Sequence, residues 1–160
     1  MRNKIKMAQL SYQLDQLLKG HDSICAKLYD VAQYQDWRPS PTEWSFRLIA
    51  AHLAKIEREA YLIWLDGMLT GKRQTFTAYW NTETGLGRPE LTDSIIRWKE
   101  SRRRLVERVK MLPVNQLSKS VKHDIYGDLT AERLVEVAAN HDSDHLSHLT
   151  KILKQFESED

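Results

Sequence analysis

One cysteine, Cys25, stands in 160 residues. It cannot close an internal disulfide, so the chain is not a disulfide-stapled scaffold, and a lone thiol suits a reducing compartment. No apolar run approaches the roughly 18 residues that would suggest a membrane span. Met1 to Leu18 is charged and amphipathic and lacks the apolar core of a secretory signal. Neither sign of charge prevails: 24 basic residues face 22 acidic ones, leaving a formal +2. That balance favours solubility and argues against a dedicated polyanion-binding surface. Strand-like alternation and internal repeats are also missing. These absences describe a soluble cytoplasmic protein with neither nucleic acid nor membrane as partner. Its length fits a single domain, residues 1–160, able to bury roughly 68–70% of its unfolded surface.

Helical periodicity is what remains. The first segment, about Asn3 to Gln35, carries a seam at Leu10, Leu14, Leu17, His21, Ile24, Leu28 and Val31. Steps of three and four mark helix-on-helix packing. Ser40-Pro41-Thr42-Glu43 reads as an N-cap, a first-turn proline and a reciprocal glutamate opening the second helix. Its inward face reads Leu48, Ile49, His52, Ile56, Ala60 and Ile63, and it ends near Gly67 to Gly71. The stretch Lys72 to Glu90 is irregular and aromatic, and long connections of this kind are often functional. It reads as a flap over a bundle end or as a plain crossover. A third helix, about Thr92 to Met111, presents Ile95, Trp98, Leu105 and Val109 before Pro113. Asn115 to Asp128 connects to a fourth, with Thr130 as N-cap. The expected fold is all-α: a four-helix bundle with a longer crossover between helices two and three.

The fourth helix carries the chemistry. Its apolar stripe reads Leu134, Ala138, His141, His145, His148 and Ile152, placing three imidazoles where a helix faces its core. A buried ring needs partners for its nitrogens, and one metal ion can satisfy several rings together. His141 and His145 stack about 6 Å apart on one face. His52, inward on helix two, adds a third nitrogen donor from another helix. Three protein ligands leave one to three coordination positions open, as in a catalytic metal site.

The other polar residues divide between support and surface. His148 is placed beside the ligands or against substrate, with direct ligation as the alternative. His21 is expected to be a hydrogen-bonded core histidine, and His123 a solvated loop residue. Glu57, Glu59, Asp142 and Asp144 are candidate partners for the far nitrogens of ligand imidazoles. Of these, Glu59 shares the face of His52, and the rest read mostly as solvated surface. Arg102 falls at a seam position between Trp98 and Leu105, either snorkelling outward or offering its guanidinium to an anionic substrate. Arg102-Arg103-Arg104 faces several directions and makes no nucleic-acid stripe. Trp44, Trp64 and Trp98 read as core or core-edge aromatics. His-Asp-Ser-Asp-His is only superficially like a zinc-protease motif, because the basic glutamate is missing.

Four stretches carry a wider likeness: Pro41-Thr42-Glu43-Trp44-Ser45-Phe46, Ala51-His52-Leu53 with Glu57, Gly127-Asp128-Leu129-Thr130, and Ala139-Asn140-His141-Asp142-Ser143-Asp144-His145-Leu146. In order and spacing they resemble the DinB-like superfamily, metal-binding four-helix bundles that include the bacillithiol and mycothiol S-transferases. The resemblance implies a divalent metal on His52, His141 and His145, zinc or nickel first, iron or manganese next. It implies a metal-dependent enzyme that activates a small thiol for transfer to a small electrophile in detoxification or stress response. Other members are classed as metal-dependent hydrolases, so a hydrolysable substrate is the alternative, and a non-catalytic metal-binding or structural bundle is the third. A homodimer is also in keeping with it. Where relatives often carry glutamine, three residues past the last ligand, this chain has His148.

Overall fold

The structure, a computed structural model, describes residues 2–71 and 75–159, with side chains from residue 6 onward. The first seam is realised in α1 (Arg2–Asp30) and the turn after it: Leu10, Leu14, Leu17, His21, Ile24, Leu28 and Val31 are all buried. Each buried leucine or isoleucine contributes about 1.5–3 kcal/mol relative to exposure, so a seven-residue stripe decides which side of the helix faces inward.

The second helix starts later than its sequence suggests. Ser40 to Glu43 closes a separate turn, with Glu43 N–H donating to the Ser40 carbonyl (3.1 Å) and the Ser40 hydroxyl to the Glu43 carboxylate (3.1 Å). The chain then stays extended to Ser45, whose hydroxyl accepts from Leu48 N–H and caps α2 (Phe46–Ile56). α2 continues through a π-helical turn, Glu57–Tyr61, into α3 (Leu62–Thr70), which ends at Gly71 in the left-handed region (φ 66°). The wide turn inserts one residue into the helical period. Ile63, expected inward, is therefore exposed, while Trp64, Leu65 and Met68 are buried.

Three short strands add a small sheet to the expected helical bundle: β1 (Thr75–Phe76), β2 (Ser120–His123) and β3 (Gly127–Thr130). β1 runs parallel to β2, pairing Phe76 with His123, and β2–β3 is an antiparallel hairpin pairing Val121 with Leu129. Segments of two to four residues are too short to show a period of two. A helical turn, α4 (Glu83–Leu86), completes the crossover. α5 (Leu91–Lys110) and α6 (Ala131–Glu157) follow, and Thr130 caps α6 as expected, accepting from Arg133 N–H.

α1 packs on α6 and α5, α2 on α5, and α3 on α6, which closes the four-helix bundle. Its interior is not one apolar mass. One core gathers Leu14, Leu17, Leu65, Leu105 and Leu134, and a second gathers Ile24, Leu53, Trp98 and Leu149. Along each long helix the residues between the two cores are polar and buried: His21 on α1, Glu57 in the π-turn, Arg102 on α5, Asp142 on α6.

Candidate metal centre

His52 is an inward residue of α2, only 7% exposed, and His141 and His145 lie one turn apart on α6. The structure brings the three together. His52 Nε2 lies 3.0 Å from His141 Nε2, and His145 Nε2 lies 3.1 Å from the same atom. A ring nitrogen carries one proton or one lone pair, so His141 Nε2 cannot make a full hydrogen bond with both neighbours. Three nitrogens at about 2.0–2.1 Å from one ion in a tetrahedral shell would sit about 3.3 Å apart, close to what is found. The set of donor atoms, all within 4.8 Å of one another, is consistent with a divalent metal.

Protonation agrees with that reading. Burial pushes His141 down to about 3, helped by the neighbouring His145, His52 and Arg102. Burial likewise brings His145 down to about 4, with His52 and His148 adding to the effect. His52 is lowered by burial too, against the pull of its bond to Asn81. All three are neutral near pH 7, the state a ligand imidazole requires. His52 Nδ1 donates to Asn81 Oδ1 at 2.7 Å, which fixes its proton on Nδ1 and turns a bare Nε2 toward the cluster. Nδ1 of His141 and of His145 is buried without a partner among the described residues.

The remaining candidates fall elsewhere. Arg102 neither snorkels nor faces a cavity. Its guanidinium is 1% exposed and bonds Glu57 through Nε and Nη2 (both 2.8 Å) and Asp142 through Nη1 (2.5 Å) and Nη2 (3.1 Å). Burial pulls this guanidinium down, but Glu57 and Asp142 together hold it well above its ordinary value. Glu57 and Asp142 are therefore interior residues, correcting their reading as surface. Glu59 does not share the face of His52, because the π-turn rotates it to the rim, where it accepts from Arg58 and from the Tyr79 hydroxyl. His148 is half-buried and Asp144 exposed.

His21 is the core histidine expected, with Nδ1 on Asp22 (3.1 Å) and Nε2 on Cys25 Sγ (3.6 Å). His123, expected in solvent, is 4% exposed beneath Trp64, and its Nδ1 accepts from Ile125 and Tyr126 N–H. It stands apart from the three-histidine cluster. Trp98 is a core residue whose indole N–H reaches Glu57, whereas Trp44 and Trp64 border the centre.

A cavity of about 450 Å³ opens against the three imidazoles. Trp44, Ile56, Tyr61 and Trp64 wall it from α2, its approach, the π-turn and α3, and Ile125 and Tyr126 from the hairpin turn. Ala78 to Asn81 of the crossover wall it too, so this part of the Lys72–Glu90 segment lies over the site. Residues 72–74 of that segment lie outside the described residues. Sequence reasoning missed Asn81, Tyr61 and the hairpin turn. Asn81 and the hairpin sit in irregular chain without periodic signal, and Tyr61 faces inward only because of the π-turn.

The family model of the DinB superfamily matches residues 15–149. YfiT from Bacillus subtilis, described as a probable metal-dependent hydrolase with an unusual four-helix bundle topology, has a similar structure. The two superpose with a TM-score of 0.70 at 16% identity, covering 90% of this chain and 87% of YfiT. No curated protein matches the chain.

Proposed function

The chain belongs to the DinB superfamily, and we propose that His52, His141 and His145 hold a divalent metal at which a small nucleophile is activated. The observation that carries this is the convergence of one buried and two half-buried neutral imidazoles, His52 and His145 Nε2 each 3.0–3.1 Å from His141 Nε2, with His52 set in the ligand tautomer by Asn81. A bound divalent ion supplies Lewis acidity, lowering the pKa of a thiol or water at its open position. The protein's own part is to orient the imidazoles, to exclude bulk water behind the cavity walls and to present the substrate from the aromatic side.

Thiol transfer to a small electrophile is the reading the family likeness supports first, with zinc or nickel as the metal. Hydrolysis, with water as nucleophile, is supported by a specific observation: no lysine or arginine is among the described residues lining the cavity. Common small thiols carry carboxylates and would want such a cation, whereas water needs no binding pocket. The resemblance to YfiT, itself described as a probable metal-dependent hydrolase, points the same way.

Elemental analysis of untagged protein tests the centre, set beside a His141→Ala/His145→Ala double variant of unchanged circular dichroism. About one equivalent of metal in the parent, lost in the variant, is expected for a single three-histidine site. A parent that neither carries nor takes up divalent ions returns the histidines to a structural role. With the metal in place, esters, amides and thiol–electrophile pairs distinguish the two reactions.

A further inference from the structure

We propose that the cavity against the three histidines selects an uncharged substrate with a flat, apolar or aromatic body, whose acceptor oxygen is met by the Tyr61 hydroxyl. The inference rests on the function proposed above for where the reacting atom lies. What surrounds that atom is read from the walls.

Six lining residues are aromatic: Trp44, Tyr61, Trp64, Tyr79, Trp80 and Tyr126. Aromatic walls favour planar apolar guests, which they meet by offset stacking or edge-on contact in addition to area burial. The described lining residues include no lysine, arginine, aspartate or glutamate. Charges near the rim are already committed. Lys55 donates to the Gly85 carbonyl at 2.6 Å, Glu59 accepts from Arg58 and Tyr79, and Asp124 accepts from Ala78 N–H at 3.0 Å. A carboxylate or ammonium entering such walls loses its water without gaining a partner.

Two exposed apolar side chains mark the mouth. Trp80, on the crossover, is 82% exposed, and Ile125, in the hairpin turn, is 59% exposed. Apolar surface left open at the edge of a concave site is surface that a ligand covers. Deeper in, Tyr61 is 2% exposed, with its ring edge-on to His141 at a centroid distance of 6.2 Å. Its hydroxyl makes no hydrogen bond to any described residue, which leaves a phenol donor free for an acceptor on the guest.

Two near-isosteric probes test this: 2-naphthamide, neutral, and 2-naphthoate, anionic. Each is titrated into the protein as purified and after chelation, by calorimetry and tryptophan fluorescence. Chelation removes the trivial case of a carboxylate binding directly to metal. In the chelated protein the amide should bind at least about tenfold more tightly than the carboxylate. Trp80→Ala, at an exposed position, should weaken the amide about three- to tenfold. Tyr61→Phe should weaken the amide but not naphthalene, which has no acceptor. Equal or tighter binding of the naphthoate, no binding of the amide, or an amide affinity indifferent to Trp80→Ala overturns the proposal. Protein that carries no metal yet still prefers the amide would defeat the metal centre and leave this inference standing. Metal-loaded protein with no preference would do the reverse.

Discussion

Asn81 holds His52 from the side away from the cluster, and it does so across a crossover rather than along a helix. Its Oδ1 accepts from His52 Nδ1 at 2.7 Å, so one contact fixes both the ring's orientation and its tautomer. Removing it should leave the histidine in place but free to rotate and to shift its proton. Asn81→Ala is therefore expected to weaken metal binding about 10–100-fold, as loss of an outer hydrogen bond to a ligand imidazole does elsewhere. Competition against a chromogenic chelator measures this directly, and an affinity within about twofold of the parent would show the bond to be idle. The three imidazoles were legible in the sequence because α2 and α6 keep the helical period through residues 52, 141 and 145. Asn81 was not, since a residue in irregular chain has no period from which its neighbours follow.

At the scale of elements, the illegible parts share a cause: each is a local departure from regular period. The π-turn Glu57–Tyr61 puts Glu57, Ala60 and Tyr61 inward, turns Glu59 out, and shifts the seam by one residue to Trp64. No residue in Glu57-Arg58-Glu59-Ala60-Tyr61 announces a wide turn. The buried pairing of Glu57 with Arg102 is what rewards it, and that partner lies 45 residues away. The sheet is equally tertiary. Its docking on α3 depends on Gly67, where an added Cβ would fall 2.7 Å from Phe76 Cε2 and 3.4 Å from Val121 Cγ1. Alanine is the better helix former by about 1 kcal/mol, so local propensity alone predicts that Gly67→Ala stabilises. The clash with a buried aromatic ring should win, giving a net loss of about 1–3 kcal/mol in chemical denaturation. Pairing the change with Phe76→Leu should recover part of it. A Gly67→Ala protein more stable than its parent would mean that β1 is not seated on the helix.

Across the whole molecule, two apolar cores are separated by a polar waist to which every long helix contributes. One cation, Arg102, is shared there between two carboxylates, while the buried histidines are held neutral. Such a layer makes stability depend on pH with a definite sign. His141 is lowered to about 3 and His145 to about 4, and His21, His52 and His123 are lowered as well, burial being the main cause in each. The unfolded chain takes up protons near the ordinary histidine value of about 6.5, while the folded protein does not. Unfolding therefore binds protons, and stability is full above that value and falls as the solution is acidified through it. Between pH 7.5 and 5.5 the metal-stripped protein should lose about 1.4 kcal/mol for each histidine that stays neutral in the fold. Asp142 works in the opposite direction, since burial raises its carboxyl, and it offsets part of the loss toward the acid end. Urea unfolding at a series of pH values reads this slope, which thereby counts the neutral histidines. A flat profile would show that the imidazoles are hydrated and protonatable in the native state. Saturating zinc should raise stability by a similar amount at every pH in this range without steepening the slope, because the folded imidazoles are already unprotonated there. A His141→Ala/His145→Ala protein should show both a shallower slope and no added stability with zinc, which ties the acid sensitivity of the bundle to its waist.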